Sequence, residues 1–371
     1  MNLNHERISI LTKSILPDKL RMNLNHERIS ILTKSILPDA TARLASLPIV
    51  DGLYCAANTR EQFERTIAGG VRAGNMTAVL PYEDFSQSMS RLAELDRLVA
   101  ENSDIARIIT SASEIRSAAN DGVLGIIIGS QDATFLDHDV QLLRVMQRVG
   151  MRIMQPVYNE QNAFGSGGLA KPQTGLTEKG FEWVSIMNQL RMLIDLSHAG
   201  YQTAAEVIQE SKQPVIFSHS NARTLCDSPR NIPDNLIRAA AETGGTVGIT
   251  LWPPLLGIKK RPTLDNFCDQ VDYMVNLVGV DHVAFGSDLS EGTKTREKWL
   301  SLYGPNPIWP EVTGILEPWF TYDQKTTDGY EGMALTGRLL VALNARGYSD
   351  DDIEKIMSGN LQRVYAEVWG S

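Results

Sequence analysis

Met192–Ser220 reads MLIDLSHAGYQTAAEVIQESKQPVIFSHS. A short apolar run, Met192–His198, ends in polar residues; a helix-period stretch follows at Ala204–Ser211; a second apolar run, Pro214–His219, ends as the first did. This alternation predicts two parallel strands joined by a crossover helix. The unit recurs on both sides. Further apolar runs lie at Leu47–Leu53, Met76–Leu80, Val123–Gln131, Arg152–Tyr158, Thr246–Trp252 and His282–Asp288. Helix-period stretches fall between them at Glu61–Gly69, Met89–Glu101, Val140–Val149, Glu178–Gln189, Asp234–Glu242 and Leu264–Val278. Eight such strands predict an α/β fold of the (β/α)8 TIM barrel type. An open doubly wound sheet would call for a glycine-rich turn after the first strand, where this chain has Asp51-Gly-Leu-Tyr-Cys55.

Composition agrees with one ordinary globular domain: 371 residues, 43% hydrophobic and 21% charged. Met1–Asp18 recurs without a change at Met22–Asp39, so Met1–Arg21 is expected to be a duplicated leader, a cloning scar, ahead of a single domain at 22–371. An amphipathic segment at Arg28–Leu37 leads into the first strand. The net charge of −9, without a Lys/Arg run, argues against nucleic acid or an anionic membrane as partner. No run reaches the ~18 apolar residues of a membrane span. Cys55, Cys226 and Cys268 are too few and too scattered for a disulfide framework, and with no signal peptide evident a cytoplasmic setting is expected.

Two long connections stand out. Asn162–Gly175 is glycine-rich and expected to be mobile; Leu289–Gly332 carries Trp299, Tyr303, Trp309, Trp319, Phe320 and Tyr322. In a barrel both emerge on the face where chemistry is done, the second as a lid or a contact between subunits. Polar residues close several strands: Ser130-Gln131, Ser197-His198, Ser218-His219 and Ser287-Asp288. Carboxyl ends of barrel strands converge on the axis, which would bring His198, His219 and Asp288 together. Two imidazoles and a carboxylate suit zinc or a similar divalent ion with a water to activate. His282 begins its strand at the opposite face and His138 lies in an acidic turn, and neither is given a chemical role.

The strings IDLSH (194–198), PVIFSHS (214–220), RNIPD (230–234) and HVAFGSD (282–288), with the ending GYSDDDI…GN (347–360), resemble the membrane (renal) dipeptidase family over about Val50 to Trp369. The resemblance implies an amidohydrolase-type barrel whose usual members bridge two zinc ions with a glutamate, hydrolyse dipeptides and often form homodimers. It places two metal-binding histidines on His198 and His219, a metal-binding and proton-accepting aspartate on Asp288, and an arginine that grips a substrate carboxylate on Arg230. Three family positions differ here. The first-strand His-x-Asp pair reads Leu53-x-Cys55, the bridging glutamate reads Gln131, and a substrate-contacting histidine reads Tyr158.

A leucine cannot hold a metal and a neutral amide cannot offset two cations, so one ion per chain is expected, held by His198 and His219 with Asp288, Gln131 or water. The leading expectation is a dipeptidase-like hydrolase acting on a small amide or peptide-like carboxylate. Asp288 takes the proton, Arg230 anchors the carboxylate, and Gln131 or Tyr158 steadies the oxyanion. Cys55 could fill space, bind metal as a thiolate or act as a nucleophile. Two alternatives use the same barrel: a metal-independent lyase or isomerase working through His198, Asp288 and Tyr158, and a non-catalytic barrel that only binds a small ligand.

Overall fold

The computed structural model describes residues 42–257, 259–314 and 318–370; the duplicated leader and Arg28–Leu37 lie outside them. Nine strands form: β1 (Ile49–Tyr54), β2 (Val71–Val79), β3 (Ala106–Ile108), β4 (Leu124–Ser130), β5 (Met151–Met154), β6 (Leu193–Asp195), β7 (Val215–Phe217), β8 (Thr246–Ile249) and β9 (Val283–Phe285). Their order is β1-β2-β4-β5-β6-β7-β8-β9, all parallel, with β3 paired to β4 off the main path. A parallel bridge between Tyr54 and Leu289, and Asp288 N–H donating to Leu53 O at 3.1 Å, join the last strand's end to the first. The eight expected strands thus close a barrel. β3 is additional: three residues between two helices are too short to show a period.

The helices Glu178–Gln189, Asp234–Glu242 and Leu264–Val278 keep the bounds their apolar periodicity predicts. Caps fix two of these starts. Thr177 accepts from Gly180 N–H, and Thr263 and Asn266 form a reciprocal capping box.

Apolar residues bury in two layers. One lies between strands and outer helices; the other fills the barrel with Val50, Ala73, Ile127, Ile153, Leu193 and Ile216. The helix Asn360–Trp369 closes the floor of that inner layer through Leu361, Val364, Tyr365 and Val368. Around β7 the interior is tight: a Cβ at Gly248 or Gly286 would collide with the Ser218 carbonyl oxygen. These glycines let β8 and β9 close on β7 just below the residues that carry His219.

The glycine-rich connection is laced down instead of loose. Asn162 Oδ1 accepts from Phe164 and Gly165 N–H at 2.8 and 3.2 Å, Gly168 N–H donates to His198 O at 2.8 Å, and Phe164 and Ser166 are fully buried. Glycine here allows close packing: a Cβ on Gly167 would meet the Tyr158 carbonyl. The aromatic connection folds over the mouth and packs on itself, with Trp299 at the centre, 5.3 Å from Phe320, 5.6 Å from Tyr303 and 6.0 Å from Tyr322 between ring centroids.

Candidate active site

His198 and His219 meet at the mouth of the barrel, their Nε2 atoms 3.0 Å apart and both rings buried. Each ring is held by its other nitrogen. His219 Nδ1 lies 2.7 Å from Ser218 Oγ, and the Ser218 hydroxyl donates to Asp195 Oδ2 at 2.5 Å. With that hydroxyl proton committed to the carboxylate, Ser218 accepts from His219 Nδ1–H. His198 Nδ1 lies 2.8 Å from Asn159 Oδ1 and donates to it in the same way. Both Nε2 atoms therefore present lone pairs.

A third lone pair joins them. Gln131 Nε2 donates to Thr77 Oγ1 at 2.8 Å and to Cys55 Sγ at 3.4 Å, which turns Oε1 to within 3.0 Å of His198 Nε2. Gln131 Oε1 and His219 Nε2 both lie 3.0 Å from His198 Nε2 with no donor between the three, an arrangement that a cation would relieve. Burial and the nearby Arg230 guanidinium hold both imidazoles well below their usual pKa, so they are neutral, the form that binds metal. One divalent ion fits this donor set. Leu53 and Cys55 stand where the resemblance implies a further histidine and aspartate, and burial keeps the Cys55 thiol protonated.

Two expectations meet a different geometry. Gln131 was expected to offer its NH2 to an oxyanion, but Thr77 and Cys55 take those protons. Asp288 was expected beside the histidines as a ligand. Among the described residues no three His, Cys, Asp or Glu side chains form a metal-binding group. Asp288 has φ of 50° with its N–H tied to Leu53 O, and its carboxyl interacts with Arg230, Lys294 and Cys55. A left-handed backbone at a non-glycine residue is strained and recurs at functional sites. Burial pushes the Asp288 carboxyl up to about 6, against the pull of Arg230 and Lys294.

The remaining candidates cluster as expected. Arg230 is buried, donates to the Ser197 carbonyl, and brings Nη2 to 3.4 Å from His219 Nε2. Tyr158 stacks on His198 with centroids 3.8 Å apart and planes at 22°, and burial keeps its hydroxyl protonated.

Sequence reasoning passed over the supports. Asp195 on β6 accepts from Ser197, Ser218 and Gln155 and so sets His219. Asp51 on β1 serves Asp288 in the same way. It accepts from Ser287 N–H at 2.7 Å, the Ser287 hydroxyl at 2.6 Å and Leu53 N–H at 3.1 Å. An aspartate inside an apolar run, as in IVDGL or LIDLS, was the available signal, because a buried carboxyl must find donors.

Asp51 yields a pH prediction. Burial pushes its carboxyl from 3.8 up to about 7. The folded chain then keeps a proton that the unfolded chain releases, so this contribution to stability is complete below about pH 4 and is lost as the pH rises to about 7. Asp51→Asn keeps an oxygen for the two amides and offers its NH2 to Ser287. Its Tm should vary less with pH across that window than the parent's; identical slopes would show that Asp51 does not titrate there.

Residues 33–301 match the membrane dipeptidase family, peptidase family M19. An amidohydrolase structure from Pseudomonas aeruginosa is 30% identical with a TM-score of 0.79, over 89% of this chain and 98% of that one. An uncharacterized protein from the pqqA 5′ region of Klebsiella pneumoniae is 29% identical over 289 residues, 75% of this chain and 95% of that protein. An uncharacterized dipeptidase of Schizosaccharomyces pombe is 31% identical over 225 residues; the match takes in 56% of this chain and 53% of the yeast protein.

Proposed function

We propose, from the premise that the chain belongs to the membrane dipeptidase family and is a dipeptidase-like hydrolase, that it cleaves a small peptide-like amide at a centre built for one cation. The observation that carries this reading is the convergence of His198 Nε2, His219 Nε2 and Gln131 Oε1, three acceptors whose nearest donor is the Arg230 guanidinium, 3.4 Å from His219 Nε2. When bound there, zinc or a similar divalent ion supplies Lewis acidity, which acidifies water and polarises an amide carbonyl.

The chain's own groups do the rest. Ionised above about pH 6, Asp288 accepts the proton of the attacking water and passes it to the leaving amine. Arg230, its guanidinium already desolvated, grips the substrate carboxylate. The Tyr158 hydroxyl, kept neutral by burial, donates to the developing oxyanion. Gln131 acts through its oxygen, with Thr77 and Cys55 fixing the amide. A homodimer in the cytoplasm completes the proposal, resting on the sequence resemblance and on cysteine usage. Among the described residues, no helix is long and apolar enough to cross a membrane.

Turnover of small N-acyl amino acids in 18O-labelled water tests the reaction class. Hydrolysis places the label in the product acid. Turnover without label would replace this reading with the lyase or isomerase alternative.

A further inference from the structure

Beside Asp288 opens a cavity of about 340 Å3, roofed by the aromatic connection. Trp252, Trp299 and Tyr303 give it apolar walls, with Trp252 and Tyr303 centroids 6.2 Å apart. Its charges do not cancel evenly. Glu291 is taken up by Arg65, Gln62 and the Met333 N–H, Asp323 by Arg296 at 2.6 Å, and Glu331 by Arg261 at 2.9 Å. Lys325 rests on the Tyr322 ring, 3.6 Å from its centroid. Lys294 is different. Partly buried among these walls, its ammonium makes a 3.5 Å contact with Thr293 Oγ1 and feels the Asp288 carboxyl, but no carboxylate of the described residues lies within salt-bridge distance of it. The one cavity carboxylate not committed to an arginine is Asp288, which the mechanism uses.

A half-desolvated ammonium with no ion pair among the described residues, set in an aromatic cavity next to the reacting centre, calls for an anion with an apolar stem. Arg230 already supplies a cation on the His219 side. We propose that Lys294 forms a second anion subsite, so that the preferred substrate is acidic at both ends: an amino acid whose amine is acylated by a dicarboxylic acid, rather than a dipeptide with a free ammonium. This deepens the hydrolase reading and rests on it. Arg230 takes the amino-acid carboxylate, the amide lies over the histidines, and the acyl chain crosses the aromatic walls to bring its own carboxylate to Lys294.

Three alanine derivatives of nearly equal length test it: N-glutaryl-, N-pentanoyl- and N-(5-aminopentanoyl)-alanine, ending in a carboxylate, a methyl group and an ammonium. The parent should favour the glutaryl compound over the pentanoyl one by about tenfold or more in kcat/KM, with the aminopentanoyl compound poorest. Lys294→Glu should reverse the order of the two charged compounds, and Lys294→Met, the milder variant should the first not fold, should erase the preference. A parent that prefers the neutral or cationic compound, or variants that slow all three equally, would overturn the proposal. Calorimetry separates its failure from that of the hydrolase reading. If none of the three is cleaved, the reaction class is wrong, while glutaryl-alanine should still bind the parent about tenfold more tightly than Lys294→Met; equal affinities would refute the subsite.

Discussion

His219→Ala should lower kcat/KM by about a thousandfold or more and release the bound cation, while the barrel stays folded. The ring contributes one of three converging lone pairs and touches His198 and Arg230 directly. Without it, His198 and Gln131 are left as a two-donor site open to water. The fold should tolerate the change, because Ser218 keeps its bond to Asp195 and the glycines around Ser218 are untouched. A stability cost of about 1–3 kcal/mol is expected for the space and bonds lost. Steady-state kinetics with elemental analysis of the variant checks both parts. Full metal content with lost activity would remove His219 from the cation's donors.

Asp288→Asn should lower kcat by about a hundred- to ten-thousandfold with little change in KM and with metal content retained. An amide cannot accept the water proton, yet it fits the same pinned backbone, whose N–H still reaches Leu53 O. Retention of metal separates the two roles the resemblance gives this residue, since among the described residues Asp288 completes no metal-binding trio. The pH profile gives an independent readout. With the Asp288 carboxyl pushed up to about 6, the parent's kcat/KM should climb as the pH passes through that value and level off above it. Residual activity in the variant should lack this limb. Loss of the ion from the variant would make Asp288 a ligand after all.

Much of this was legible beforehand. Long apolar periods such as Leu264–Val278 marked their helices, and short β-rich runs with polar ends marked eight strands and the residues on the reactive face. His198, His219, Arg230, Gln131 and Tyr158 came together because barrel strands and their loops converge. The rest depends on contacts that no local pattern encodes. Which way the Gln131 amide points is decided by Thr77, fifty-four positions away. Asp288 takes φ of 50° with its N–H tied to Leu53 O, neither of which follows from the residue name. Glycines at 165–168 suggested mobility in sequence and instead permit backbone packing beneath His198. Lys294 looks like any surface lysine until the aromatic connection folds over it.

The proposed hydrolytic centre has room for one cation. It is tested most directly by counting ions per chain in the purified protein while activity is followed through chelation and restoration. About one divalent ion per chain is expected, with loss of activity as it is removed and recovery when it is returned. Two ions per chain, or full activity with none, would contradict it.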